Sequence, residues 1–112
     1  MDVQFANKKL NKTLNNVKEL RKSFPVKVAD TVALRITQLR AAEHLGQISH
    51  LPPMRLHMLT GNLKHQFSVS AKEKYRICFW GLDDEGNEIM DPTWPKEKIK
   101  AIKITKVEDY HG

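Results

Sequence analysis

The order of apolar and polar positions divides the chain into a helical half and a strand-forming half. Residues 2 to 6 predict a short first strand. From Asn7 onward, apolar residues recur every three or four positions, which predicts one helix that runs to Phe24. The apolar face of this helix is formed by Leu10, Leu14, Val17 and Phe24, with Leu20 beside them.

A proline separates this helix from a second one. The residue before a proline is driven out of the helical region, so Phe24 ends the first helix and Pro25 suits the first turn of the next. We expect the second helix to run to about Glu43. Its apolar stripe, which we interpret as core, consists of Ala29, Val32, Ala33, Ile36 and Leu39.

After a connector at residues 44 to 53, the pattern changes from helical to alternating, which is typical of strands. In the last strand Ile102 and Ile104 are in phase but Val107 is not, which indicates a β-bulge or a change of facing near Lys106. The predicted strands are 54–59, 66–71, 75–80 and 99–111, separated by turns at 61–62 and 72–74 and by irregular stretches at 81–88 and 91–98.

Helices grouped ahead of consecutive strands indicate an α+β fold. We expect a short N-terminal strand and two N-terminal helices, packed on one face of an antiparallel sheet of about four strands. A chain of 112 residues is long enough to bury a core, and we expect a single domain over residues 1–112.

Charge narrows the choice of partners without deciding it. The chain has 19 Lys and Arg residues against 13 Asp and Glu residues, a formal net charge of +6. Five of the acidic residues lie in the segment 83–91, so the rest of the chain is still more basic. This balance favours nucleic acid, the ribosome or an acidic protein as a partner, but a merely charged, soluble surface explains it about as well.

Cysteine usage and hydropathy indicate a cytoplasmic location. Cys78 is the only cysteine, so no internal disulfide can form, and we expect a small buried residue in a reducing compartment. No apolar run is long enough to span a bilayer and no leader pattern is present, so we expect no membrane contact. No His, Cys and Asp cluster has metal-ligand spacing, so we expect no metal and no cofactor.

Two stretches of the sequence carry a family resemblance. Residues 61 to 70 read G-x-L-x-x-x-x-S-V-S, residues 75 to 79 read Y-R-I-C-F, and the chain closes with D-Y-H before a final Gly. This combination resembles the HigB-type toxins (plasmid maintenance killer proteins) of the RelE/ParE superfamily. The resemblance covers residues 51 to 81 and 104 to 112, whereas the helical half agrees only in order and size.

The resemblance implies a compact, microbial-RNase-like fold, an enzymatic activity and a set of partners. The toxin would enter the ribosomal A site and cut translated mRNA as a metal-independent endoribonuclease. A cognate HigA-like antitoxin, usually carrying a helix-turn-helix part, would neutralise it. Operator DNA would be contacted only through that antitoxin, while mRNA and rRNA would be direct partners.

RNA cleavage needs a group that takes the 2′-OH proton, a group that protonates the 5′-oxygen, and positive charge beside the phosphate. Histidine suits the proton transfers, and His57 and His111 match histidines of the family pattern. Arg76 is the candidate phosphate clamp, although an ion pair with Glu73, Asp109 or Glu108 would also explain it.

The remaining candidates have supporting roles. Asp109 could orient a histidine or act as a base, and Tyr110 could stack on a base or hydrogen-bond the phosphate. In a regular strand Asp109, but not Tyr110, faces the same way as His111. Candidates for RNA and ribosome binding are Lys64, Lys72 and Lys74. Many family members have Lys at the position of Thr60, so Lys64 is the candidate substitute here.

The sequence is also compatible with two other functions. A ParE-like gyrase inhibitor would share the fold, but it lacks the combination of His57 with the D-Y-H end. A non-enzymatic, antitoxin-binding module, derived from a toxin that lost its activity, is favoured by Thr60. Growth arrest on induction separates both toxins from this module, and translation arrest or DNA damage separates the two toxins.

Overall fold

The computed structural model describes residues 1–72 and 74–109. Within these residues the chain forms three α-helices and five strands, joined in part by single 3-10 turns, which confirms the α+β class. The elements are β1 (Asp2–Phe5), α1 (Lys8–Leu14), α2 (Val17–Ser23), α3 (Val26–Ala41), β2 (His57–Met58), β3 (Phe67–Ser70), β4 (Tyr75–Leu82) and β5 (Ala101–Asp109).

The strands form one mixed sheet with the order β1-β5-β4-β3-β2 among the described residues. Strands β2 to β5 pair antiparallel, whereas β1 pairs parallel to β5, with Val3 opposite Ile102. The predicted short N-terminal strand is confirmed, but it joins the sheet as a parallel edge strand, so the sheet is mixed and has five strands rather than about four. Three helices separate β1 from the other strands, so no hairpin turn constrains it to run antiparallel.

The first predicted helix is two helices, because Asn15 and Asn16 interrupt it. The Asn16 side chain accepts a hydrogen bond from the backbone N–H of Lys18 at 2.9 Å, which makes Asn16 the N-cap of α2. Val17 therefore lies in the first turn of α2 with 48% of its surface exposed. Its predicted place on the apolar face was wrong, whereas Leu14 and Leu20 are buried.

Helix α3 follows Pro25 as predicted and ends at Ala41, slightly before the expected position. Its apolar stripe packs against one face of the sheet, which we call the helix-covered face. The buried core includes Leu14, Leu20, Val32, Ile36 and Leu39 from the helices and Val69, Ile77, Phe79, Ile102 and Ile104 from the strands. In the described part of the chain, no helix is long and apolar enough to cross a membrane.

Strand β5 contains the predicted irregularity. Cys78 of β4 pairs with Lys106 and the next residue, Phe79, pairs with Ile104, so Thr105 is an extra residue in the ladder. This β-bulge changes the facing of the strand. As a result Ile104 and Val107 share the helix-covered face although they are three residues apart, and Lys106 and Glu108 lie on the opposite face.

The edge strand β2 and its neighbour β3 each differ from the prediction. The expected strand at 54–59 is reduced to His57–Met58. The expected alternation of buried and exposed residues in β3 was wrong, because Phe67, Ser68 and Val69 are all buried.

Candidate functional site

The face of the sheet opposite the helices, which we call the polar face, contains His57 and Arg76, two of the candidate residues. Pairing across the strands places four residues in one row on this face. These are His57 on β2, Ser68 on β3, Cys78 on β4 and Lys106 on β5. Neighbouring strands lie about 4.8 Å apart, so His57 is about 10 Å from the β4 position in its row.

A second row lies beside the first and contains a tight ion pair. Ser70 pairs with Arg76, and Arg76 pairs with Glu108. The Arg76 guanidinium donates from Nε at 2.9 Å and from Nη2 at 2.6 Å, both to Oε1 of Glu108. Of the three acidic partners that the sequence allowed for Arg76, the structure shows Glu108 in this role.

The other oxygen of the same carboxylate is also occupied. Lys106 Nζ lies 2.9 Å from Glu108 Oε2, so one carboxylate joins two cations. The hydrogen bond from Lys106, with a smaller contribution from Arg76, lowers the pKa of Glu108 below its usual value despite partial burial. Glu108 is therefore a carboxylate at neutral pH, and it offsets part of the positive charge on this face.

Cys78 and Ser68, two small residues of the first row, form the floor of the polar face. Cys78 is fully buried, as expected, and its Sγ lies 3.9 Å from Glu108 Oε1. Burial, and secondarily the charge of Glu108, raises the pKa of the Cys78 thiol to about 11. The thiol is protonated at neutral pH and is therefore a poor nucleophile.

A polar bridge crosses the floor. Thr105, the extra residue of the bulge, places its hydroxyl 2.7 Å from Gln66 Oε1 and 3.2 Å from the Cys78 carbonyl. Gln66 is itself buried, and the bridge joins the segment before β3 to β5 across β4. The bulge is therefore held by specific hydrogen bonds, which stabilise the placement of Lys106 and Glu108.

His57 lies at the outer edge of this face and is exposed. Its Nδ1 is 3.2 Å from the carbonyl oxygen of Arg55. When Nδ1 carries the proton it donates to that carbonyl, and Nε2 is then left with a lone pair that can accept a proton. The residue also borders a cleft of about 440 Å³ whose lining includes His50, Met58, Pro92 and Lys96.

The register separates Asp109 from Arg76. Asp109 lies opposite Tyr75, and Tyr75 contacts Phe24 of the helical layer edge-on at 5.7 Å between ring centres. Glu108, rather than Asp109, is the acidic residue that β5 places beside Arg76. Tyr110 and His111 lie outside the described residues, so their predicted roles stay predictions.

The predicted RNA-binding lysines lie on exposed connections. Lys64 follows the 3-10 turn Gly61–Leu63, and Lys72 and Lys74 lie in the connection between β3 and β4. Thr60 is exposed and precedes the same 3-10 turn. Gly61 adopts a positive φ of 70°, which favours glycine at this turn.

Two residues of the site were not predicted as members of it: Lys106 and Glu108. The phase change at Val107 was the available signal, since it implies that Lys106 and Glu108 leave the helix-covered face together. Among residues 1–72 and 74–109, no group of three or more His, Cys, Asp or Glu side chains could hold a metal ion.

Comparison of the chain with known proteins assigns it to no family. No model of a known protein family matches the sequence, and no curated protein matches it.

Proposed function

We propose that this protein is the toxin of a type II toxin–antitoxin system and a ribosome-dependent mRNA endoribonuclease of the HigB type. The observation that carries the proposal is the polar face, on which β2 presents His57 and β4 presents Arg76. The sequence resemblance over residues 51 to 81 and 104 to 112 supports the same function. The α+β fold with helices on one face of the sheet is compatible with it.

The proposed reaction is attack of a ribose 2′-OH on the adjacent phosphorus. A general base removes the 2′-OH proton, and a general acid protonates the departing 5′-oxygen. The products are a 2′,3′-cyclic phosphate and a 5′-OH end. His57, whose Nε2 can accept a proton when Nδ1 donates to the Arg55 carbonyl, is the candidate for one of these two groups, and His111 is the candidate for the other.

Arg76 would neutralise the charge that develops on the phosphate, since a guanidinium can hold two phosphate oxygens. Asp109 and Tyr110 keep their proposed supporting roles. Because Asp109 lies opposite Tyr75 rather than beside Arg76, the orienting role on His111 suits it better than contact with the phosphate.

The proposed partners follow from the same resemblance. A cognate helix-turn-helix antitoxin would neutralise the toxin and would provide the contact with operator DNA. The ribosome and mRNA would be bound through positive charge, to which Lys64, Lys72 and Lys74 contribute. This activity requires a cytoplasmic location.

Induction in bacteria tests the proposal. The chain should arrest growth, and primer extension should show new mRNA 5′ ends inside translated codons. The double variant His57→Ala, His111→Ala should do neither. His65→Asn is the matched control, because it removes an imidazole elsewhere and Asn tolerates the positive φ of 74° at this position. It should behave like the unchanged chain.

Two results would contradict the proposal. Equal growth arrest by the intact chain and the double variant, without new mRNA ends, would favour another target such as gyrase. Absence of arrest by the intact chain, despite accumulation of folded protein, would favour the antitoxin-binding module that lacks enzymatic activity.

A further inference from the structure

One carboxylate occupies a cationic seat between β4 and β5. Oε1 of Glu108 accepts hydrogen bonds from Nε and Nη2 of Arg76, at 2.9 and 2.6 Å. Oε2 of the same carboxylate lies 2.9 Å from Lys106 Nζ. Both oxygens of Glu108 are therefore held by cations from the two neighbouring strands.

This arrangement has the donor chemistry of a phosphate site. A guanidinium edge and an ammonium group bind two oxygens that share one central atom and carry negative charge. A phosphodiester has the same pair of charged oxygens. The seat is also accessible, since the exposed fractions of the side chains are 17% for Arg76, 26% for Glu108 and 42% for Lys106.

We propose that Arg76 and Lys106 together form the seat for a backbone phosphate of single-stranded RNA, and that Glu108 occupies this seat until RNA displaces it. The inference rests on the proposed function, and it adds Lys106 as a phosphate ligand and Glu108 as a residue that determines selectivity. For a small free anion, only the charge of that anion favours displacement of Glu108 from the seat. An RNA strand is aligned by further contacts along the polar face and displaces the carboxylate more easily.

The contrary interpretation is that Glu108 positions Arg76 for catalysis. The two interpretations make opposite predictions for Glu108→Gln, which keeps the shape of the side chain and removes its charge. If Glu108 competes with RNA, the substitution raises RNA affinity, because the fraction of molecules with an open seat limits the apparent affinity. If Glu108 positions Arg76, the substitution lowers RNA affinity or leaves it unchanged.

The chain offers a matched control for the change in net charge. Glu88 Oε2 lies 2.7 Å from Nζ of Lys103, and Lys103 belongs to β5 like Lys106. Glu88→Gln therefore removes one negative charge and releases a lysine of the same strand, but it leaves the seat at Arg76 intact. Any gain that both variants share comes from the general electrostatic attraction of RNA.

The test measures binding of a fluorescent single-stranded RNA, blocked against cleavage by 2′-O-methyl groups, to the full chain. We expect Glu108→Gln to tighten binding about tenfold and Glu88→Gln to tighten it less than about twofold. The added change Arg76→Gln should cancel the gain of Glu108→Gln. Equal gains in the two glutamine variants, or no gain in Glu108→Gln, would overturn the proposal.

A second measurement does not depend on any variant folding. In the unchanged chain, saturation with the same RNA should shift the NMR signals of the Arg76 Nε–H and the Glu108 side-chain carboxyl carbon together. A shift of the Arg76 signal with a constant Glu108 signal would overturn the displacement. Both experiments record RNA binding without cleavage. If the chain proved not to be a nuclease, their results would still test whether RNA displaces Glu108.

Discussion

Two adjacent residues of β4 lie in opposite environments. Phe79 points to the helix-covered face, has no exposed surface and stacks on Phe67 with 6.0 Å between ring centres. Cys78 points to the polar face and is equally buried, but beneath Glu108 and its two cations. The environment of Phe79 is determined by the shape and volume of the apolar side chains around it. The environment of Cys78 is determined by which nearby groups are charged, so we expect pH and bound anions to change it without changing the environment of Phe79.

The largest effect is expected from the helix-covered face. Phe79→Ala removes a fully buried ring and should lower the free energy of unfolding by about 3–5 kcal/mol, measured by urea denaturation. Trp80→Ala, the next residue and partly exposed on the polar face, should cost about 1 kcal/mol. Equal losses for the two variants would break the comparison between the faces.

Arg35 is an exception that sharpens the comparison, since it is a charged side chain buried on α3. Its Nε donates to the Ser70 carbonyl at 2.8 Å, at the end of β3, and Nη1 donates to Gln38. Burial lowers the pKa of Arg35, which nonetheless stays charged at neutral pH. Arg35→Met should lower the free energy of unfolding by about 2 kcal/mol, because it leaves the carbonyl without this donor.

Urea denaturation measures this loss as well, and Arg35→Lys is its control. The lysine keeps the charge but loses the planar fork, so it should recover only part of the stability. If Arg35→Met cost no more than a surface substitution, the link between α3 and β3 would not require a cation.

The Cys78 thiol should make stability sensitive to alkali. Its pKa rises from 9.0 to about 11 on folding, so the folded state favours the protonated form. This contribution is complete below pH 9 and is lost as the pH rises toward 11, by about 1 kcal/mol near pH 10. Urea denaturation of Cys78→Ala and of the unchanged chain should show this difference in slope, because the other groups titrate alike. Parallel curves would contradict it.

The smallest effect is expected from Glu108 at acid pH. Its pKa is lowered from 4.5, so its contribution is present above that value and is lost as the pH falls through the folded pKa. The side chain is partly exposed, so we expect less than about 1 kcal/mol. Urea denaturation between about pH 6 and pH 3 should show a shallower acid dependence for Glu108→Gln than for Glu88→Gln. Identical curves would contradict it.

The sequence predicts the fold better than it predicts the site. Periodicity identified α3 and the later strands, and the phase of Val107 revealed the bulge. The break at Asn15 and Asn16 was missed because Leu14, Val17 and Leu20 keep a helical spacing across it. The Asn16 side chain can cap a new helix, whereas the apolar spacing favours one continuous helix. Spacing alone does not show which of these two structures forms.

Within the site, residue types predicted candidates but did not predict which of them meet. His57 and Arg76 share the polar face, as strand alternation allows once the register is known. Pairing of Arg76 with Glu108 rather than Asp109 depends on the extra residue Thr105, since the bulge shifts the facing of everything after it. A local sequence pattern contains no information on cross-strand register, so Lys106 and Glu108 could not be assigned to the seat.

The position of β5 between β1 and β4 also orders events during synthesis of the chain. Strand β1 is made first, but its partner consists of residues 101–109, so β1 waits unpaired until nearly all other described residues have been added. The same late strand supplies Lys106 and Glu108. A nascent chain therefore cannot complete its sheet or the ion pairs of Glu108 before translation has passed β5.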